Sequence, residues 1–199
     1  MTEIRTSIDA TAADGRTITF TVSTESDYEQ PFTLIASPIT ETKGLGIHLH
    51  VQTARMLVQK LAAMAQWWRA AEIRACGGSG ERPAINSMHK FLYKAVSFEL
   101  VIGSDDMPGV EFAALGETFR FTWPEPVFEV ARRLNAQVED FIAGLKVTGE
   151  SLSAYGPKGS APHVASTPKG PIDFRRAQQL QMIRPTWNEL GLGKIYGDD

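Results

Sequence analysis

His48 and His50 are the first residues in this sequence whose type and spacing fit chemistry. On an extended strand, residues two apart share a face, and two imidazoles on one face can meet a single metal ion. Such a site needs further ligands, and neither His89, His163, Cys76 nor an acidic residue stands at a supporting spacing. Two polar residues on the solvated face of a sheet are the plainer reading. Cys76, in Ala75-Cys76-Gly77-Gly78, follows a long helical pattern. A helix C-terminus is the wrong end of the dipole to hold a thiolate, so Cys76 is not expected to act as a nucleophile. Asp105-Asp106 sits in a turn and Asp198-Asp199 at the end of the sequence, where both pairs read as solvated. Gly44-Leu45-Gly46 and Gly77-Gly78-Ser79-Gly80 lack the context and the lysine-serine pair of a phosphate loop. No catalytic residue, no metal and no cofactor is therefore expected, and the chain does not read as an enzyme.

Another set of residues fits binding. Arg5, Ser7, Thr17, Thr19, Thr21, His48, His50, Thr118, Arg120 and Thr122 fall on the polar side of alternating segments. Arg16 stands just before one of these segments. Phe91 and Tyr93 take the outward register of the strand pattern after them, with Lys90 and Lys94 nearby. Cations can hold backbone phosphates, hydroxyls and imidazoles can bond to sugars and bases, and exposed rings can stack on bases. The residues expected to bind single-stranded nucleic acid are Arg5, Arg16, His48, His50, Tyr93, Lys94 and Arg120.

These side chains must be placed by sheets and helices. Ile4–Ala10, Arg16–Thr24, Phe32–Ala36 and Leu45–Val51 read as four strands, the third stopped before Pro38. Ala13-Asp14-Gly15 marks a tight turn between the first two. Thr53 is expected to cap a helix running to about Arg74, with an apolar stripe of Leu57, Leu61, Met64, Trp68 and Ala71. A second block follows the glycine-rich break. One long strand is expected over Phe91–Gly103, with Leu92, Val96, Phe98, Leu100 and Ile102 facing inward, and then strands over Val110–Leu115 and Glu117–Trp123. Trp123-Pro124-Glu125-Pro126 opens a second helix, because proline suits a first turn. That helix carries Val127, Ala131, Leu134, Val138, Phe141 and Leu145. The two helical stripes superpose at a constant offset of 70, which also sets Leu45-Gly46 on Leu115-Gly116.

The expected class is α+β: antiparallel sheets each followed by a long amphipathic helix, pseudo-duplicated, with an extended C-terminal tail. The expected organisation is a strands-then-helix unit over 1–76, a linker over 77–90, a second unit over 91–149, a flexible linker over 150–171 and a docking segment over 172–199. The linker is rich in Gly, Ser, Pro and Lys, a composition that cannot bury enough apolar area to fold alone. Trp187–Tyr196 is apolar enough to dock on the body, on another subunit or on a protein partner.

A duplicated unit of strands followed by a helix, covering about three-quarters of the chain, resembles the Whirly family and related single-stranded nucleic-acid-binding coactivators. The resemblance lies in topology, Ile4–Trp68 in full and Phe91–Leu145 in shortened form. No Whirly lysine motif is present, so the resemblance transfers no binding residue. It implies single-stranded DNA or RNA held across the sheets and homo-oligomerisation through the helices.

Bulk composition sets the outer limits. The chain has 199 residues, 43% of them hydrophobic and 22% charged, which excludes a wholly disordered chain. The net charge is −3. From Ser151 onward six cations stand against four carboxylates, so residues 1–150 carry −5 and the remainder +2. No global basic field draws the protein to nucleic acid, and any such site must be local. MTEIRTSIDA does not read as a signal peptide, no apolar stretch is long enough for a membrane span, and one cysteine fits a reducing compartment, so a cytoplasmic location is expected.

Three functions are open at this level. A non-enzymatic single-stranded nucleic-acid-binding protein, DNA before RNA, of the kind used in phage or bacterial replication and recombination, comes first. A protein-interaction or assembly module, such as a phage accessory or inhibitor protein, is second. A metal-dependent enzyme using His48 and His50 is third.

Overall fold

The computed structural model describes residues 4–25, 29–40, 43–77, 84–104 and 106–148. The linker expected over 150–171, the docking segment over 172–199 and residues 78–83 of the linker over 77–90 lie outside these residues.

Two four-stranded antiparallel sheets are each followed by a helix. In the first unit β1 (Ile4–Thr11), β2 (Thr17–Thr24), β3 (Phe32–Thr40) and β4 (Lys43–Leu49) lie side by side in chain order, followed by α1 (Val51–Ala75). In the second, β5 (Lys90–Tyr93), β6 (Val96–Ile102), β7 (Pro108–Ala114) and β8 (Glu117–Phe121) repeat that order, followed by α2 (Glu125–Thr148).

The alternation of the first sheet follows its register. Ile8, Phe20, Ala36 and Leu45 share one cross-strand row, and Val22, Leu34 and Ile47 share another, so both face the core. Phe20 meets Phe98 of β6, Phe112 of β7 and Phe121 of β8 at centroid distances of 6.0, 5.1 and 6.2 Å. The apolar faces of the two sheets therefore meet directly.

Each helix packs against the other unit's sheet. α1 lies on β5 and β6, and α2 lies on β1 and β2. Phe32 of β3 meets Phe141 of α2 edge to face at 5.5 Å. The side chain of Gln137 in α2 donates to the Val22 carbonyl at 3.2 Å and accepts from the Thr24 hydroxyl at 2.8 Å. Leu61 through Ala65 of α1 are all buried, a run too wide for a helix covered on one side alone. It packs between a sheet and α2, and its alanines let the two helices approach closely.

Several expectations are corrected. β3 continues through Pro38, because its register with β4 shifts between Ala36 and Thr40 and a bulge needs no N–H there. Val51 belongs to the helix, not to β4, and is buried. His50 is the N-cap in place of Thr53, and makes no side-chain capping bond. The expected strand Phe91–Gly103 is two strands joined at Lys94-Ala95, with Tyr93 paired to Val96. That turn reverses the side-chain parity: Phe91 is buried, while Leu92 is 65% exposed. The offset of 70 holds for the buried helical stripes but not for the strands. It sets Leu45-Gly46, inside β4, on Leu115-Gly116, a turn in which both residues take positive φ (53° and 83°).

Candidate nucleic-acid interface

The outer face of the first sheet is rich in hydroxyls, those of its central strands (Thr21, Ser23 and Thr33) being buried while Arg5, Ser7 and His48 toward its edges are exposed. Across it the register places Arg5, Ser23, Thr33 and His48 in one row, and Ser7, Thr21, Ile35 and Gly46 in the next. Ser7 and Thr21 share a hydrogen bond of 2.9 Å, and Thr19 donates to the Asp9 carboxylate at 2.7 Å. The Thr33 hydroxyl bonds Nδ1 of His48 at 3.0 Å, which leaves the imidazole's Nε2 for a ligand. Three strand spacings separate Arg5 from His48, roughly 14 Å.

His48 closes this row at the edge of β4 and opens onto a groove of about 500 Å³ lined by Glu29, Gln30, His48 and Lys94. Lys94 comes from the β5–β6 turn of the second unit. Its φ of +53° is a conformation that non-glycine residues seldom adopt. The ammonium lies 5.1 Å from the Tyr93 ring centroid, within cation–π range. The two units thus converge on one groove.

The other expected residues have different places. His50, at the start of α1, bonds the Glu29 carbonyl through Nδ1 at 3.1 Å and so holds the loop that supplies Glu29 and Gln30. Tyr93 faces inward: it is partly buried against the core with Phe91 at 6.4 Å, contrary to the outward register expected for both. Neither ring is presented on an open face.

Arg16 joins the units. Its guanidinium bonds Asp14 at 2.7 Å, Glu117 at 3.0 Å and the Thr118 carbonyl at 2.9 Å. The nearby Ala13 N–H donates to the Arg120 carbonyl at 2.7 Å. The first hairpin's turn therefore satisfies backbone groups on the free edge of β8. The Arg16 backbone N–H and guanidinium lower the Asp14 pKa, and Asp14 in turn raises that of Arg16.

Arg120 is on the outer face of the second sheet, away from the first sheet's polar rows. Lys90, Glu99, Glu111 and Arg120 form one cross-strand row, with Lys90 bonded to Glu99 at 2.6 Å. The row balances its own charge. Arg120 also donates to the Met107 carbonyl at 2.8 Å and lies across Gly109, where an added Cβ would fall 2.8 Å from Nε.

His89, which has no metal partner by spacing, has a structural task. Asn86, before the short turn Ser87–His89, accepts from the Met88 N–H at 2.9 Å, and His89 Nδ1 accepts from the Asn86 N–H at 3.1 Å. Burial pushes the His89 pKa below its ordinary value, and the charge of Lys60 adds to this. Among the described residues no group of three or more His, Cys, Asp or Glu side chains is placed to hold a metal ion. No described helix is long and apolar enough to cross a membrane.

Sequence reading missed Glu29 and Gln30, since a polar loop carries no periodicity to mark them. Lys94 was picked out for its charge, but Tyr93-Lys94-Ala95-Val96 contains none of the glycine, asparagine, aspartate or proline that announces a turn.

No family model matches the chain. No curated protein matches it either. Among solved structures, the chain is similar to an SsgA-like sporulation-specific cell division protein from Thermobifida fusca, at 11% identity and a TM-score of 0.33, over 74% of this chain and 94% of that one. A likeness this distant carries no argument about function.

Proposed function

We propose that this chain is a non-enzymatic protein that binds single-stranded nucleic acid, DNA before RNA, across the outer face of its first sheet. One observation carries the reading: a row from Arg5 through Ser23 and Thr33 to His48 ends at a groove to which the second unit adds Lys94. Ser23 and Thr33 are buried between Arg5 and His48, so the contacts fall to the exposed Arg5, His48 and Lys94. Cations at the two ends suit a flexible polyanion, which can bend to meet them. The resemblance to the Whirly family points the same way. Arg5, His48 and Lys94 are the residues in contact. Arg16 and Arg120 serve the fold, and His50 positions the loop beside the groove. Stacking contributes little in this account, since Phe91 is buried and Tyr93 faces inward.

The test is fluorescence anisotropy of a labelled thymine oligonucleotide at several salt concentrations. With two or three phosphate contacts, the logarithm of affinity should fall against the logarithm of salt with a slope of about −1.4 to −2. Absence of binding, or binding indifferent to salt, contradicts the proposal.

A protein-interaction module is the second reading, and a separate observation favours it. Leu92, Leu115 and Trp123 of the second unit are 65, 51 and 68% exposed. Trp187–Tyr196, expected to dock on a partner, lies outside the described residues.

A further inference from the structure

We infer that His48 makes nucleic-acid binding at the first sheet respond to pH, as a phosphate contact that is switched on when its imidazole takes a second proton. This rests on the proposed nucleic-acid function and names what regulates that site. An imidazole is the side chain whose charge changes between about pH 5 and 8. His48 is exposed at the end of its row and opens onto the groove, and its Nδ1 lies 3.0 Å from the buried Thr33 hydroxyl. A hydroxyl donates to a bare Nδ1 and accepts from a protonated one, so Thr33 can hold the ring in either charge state by turning its hydrogen alone. Nε2 is left toward the ligand in both. In the charged state it brings an N–H donor and a positive charge to a phosphate oxygen, a stronger pairing than the neutral ring makes.

His50 does not share this role. Its Nδ1 lies 3.1 Å from the Glu29 carbonyl, which only accepts, so that nitrogen keeps its proton and the ring stays committed to the loop. The charged groups around His48 come from three elements. Lys94, on the β5–β6 turn, and Glu29, on the loop before β3, line the same groove and act on the imidazolium with opposite sign. Arg5, on β1, stands three strand spacings away, roughly 14 Å. A phosphate seated between His48 and Lys94 adds a negative charge beside the imidazole and so draws a proton onto it. Proton uptake and strand binding therefore support one another. Phosphate is held by Arg5 and Lys94 on the alkaline side of this transition, and by His48 as well on the acid side.

Anisotropy titrations of the full chain test this, with a labelled thymine oligonucleotide at about pH 8 and about pH 5.5 and a salt series at each. Thymine bears no group that titrates in this window, so a change belongs to the protein. At low salt the affinity is expected to rise about tenfold or more on the acid side, the effect of one hydrogen bond to a charged group. The logarithmic salt slope is expected to steepen from about −1.4 to about −2.1. In His48→Gln the two pH values should give affinities within about twofold of each other and equal slopes. In Thr33→Val, which keeps the volume but not the hydroxyl, the acid gain should shrink. Circular dichroism at both pH values confirms that each protein is folded, since the fold also weakens in acid through His89. Equal affinities and slopes at the two pH values overturn the inference and leave the sheet-face proposal standing. An acid gain that persists in His48→Gln belongs to another group and overturns the inference as well. A full gain in Thr33→Val overturns the positioning role of Thr33. Failure to bind at either pH overturns both proposals.

Discussion

The guanidinium carbon of Arg16, just before the first sheet's second strand, lies 4.1 Å from the ring centroid of Phe119 in β8. With its bonds to Asp14, Glu117 and the Thr118 carbonyl, this makes Arg16 a bolt between the two units. Arg16→Ala is expected to lower the melting temperature. Arg16→Lys should recover little of the loss, since an ammonium cannot serve an in-plane fork of partners while lying flat on a ring. Differential scanning fluorimetry of both variants reads this. Full recovery in Arg16→Lys would reduce the residue to a simple surface charge.

Phe20 is fully buried where the two sheets meet. Truncating it removes aromatic contacts with both β6–β7 and β8, and leaves a cavity that rigid strands cannot close. Phe20→Ala is expected to destabilise the protein by about 3–5 kcal/mol in urea unfolding. A loss of less than about 1 kcal/mol would mean that the sheets do not share this core.

Gln137 ties α2 to a sheet of the other unit, through the Val22 carbonyl and the Thr24 hydroxyl. Replacing it with leucine keeps much of the volume but leaves a buried strand carbonyl without this donor. The expected loss is about 1–3 kcal/mol. If Gln137→Leu is neutral while Phe20→Ala is not, the packing of α2 on β1 and β2 does not depend on the polar tie.

His89 links stability to pH. Its pKa is lowered in the folded protein from the ordinary 6.5, chiefly by burial, so the unfolded chain takes up a proton more readily. The stability tied to this group is fully present above pH 6.5 and is lost as pH falls from there through the folded pKa. Urea midpoints should therefore fall on acidification through that window, and fall less in His89→Gln. An identical pH dependence in the variant would exclude this histidine as a cause.

Much of this was legible in the sequence. The alternation in Arg16–Thr24 placed Ile18, Phe20 and Val22 inside, and of the stripe Leu57, Leu61, Met64, Trp68 and Ala71 the first four are buried and Ala71 partly so. What periodicity does not report is which partner covers a buried face. An amphipathic stripe on α2 looks the same whether it meets its own sheet or β1 and β2, so the exchange of helices between units had no local mark. A two-residue turn without a turn residue, at Lys94-Ala95, shifted the parity of everything before it. This turned Phe91 and Tyr93 from expected outer-face rings into inward ones. Of the expected binding residues, Arg5 and His48 were placed correctly by alternation alone. The separate commitments of Arg16 and Arg120 arise from contacts distant in sequence, and only the folded structure shows them.

The most direct test of the central claim compares two surfaces in one assay. Arg5→Ala/Lys94→Ala removes both cations from the first sheet's face and its groove, whereas Lys90→Ala removes a cation paired to Glu99 on the second sheet. Binding of a labelled single-stranded oligonucleotide at low salt is predicted to weaken about tenfold or more in the double variant. Its salt slope should flatten by about 1 to 2, and Lys90→Ala should bind like the natural protein. An unchanged affinity in Arg5→Ala/Lys94→Ala, or an equal loss in Lys90→Ala, would contradict the placement of the ligand on the first sheet.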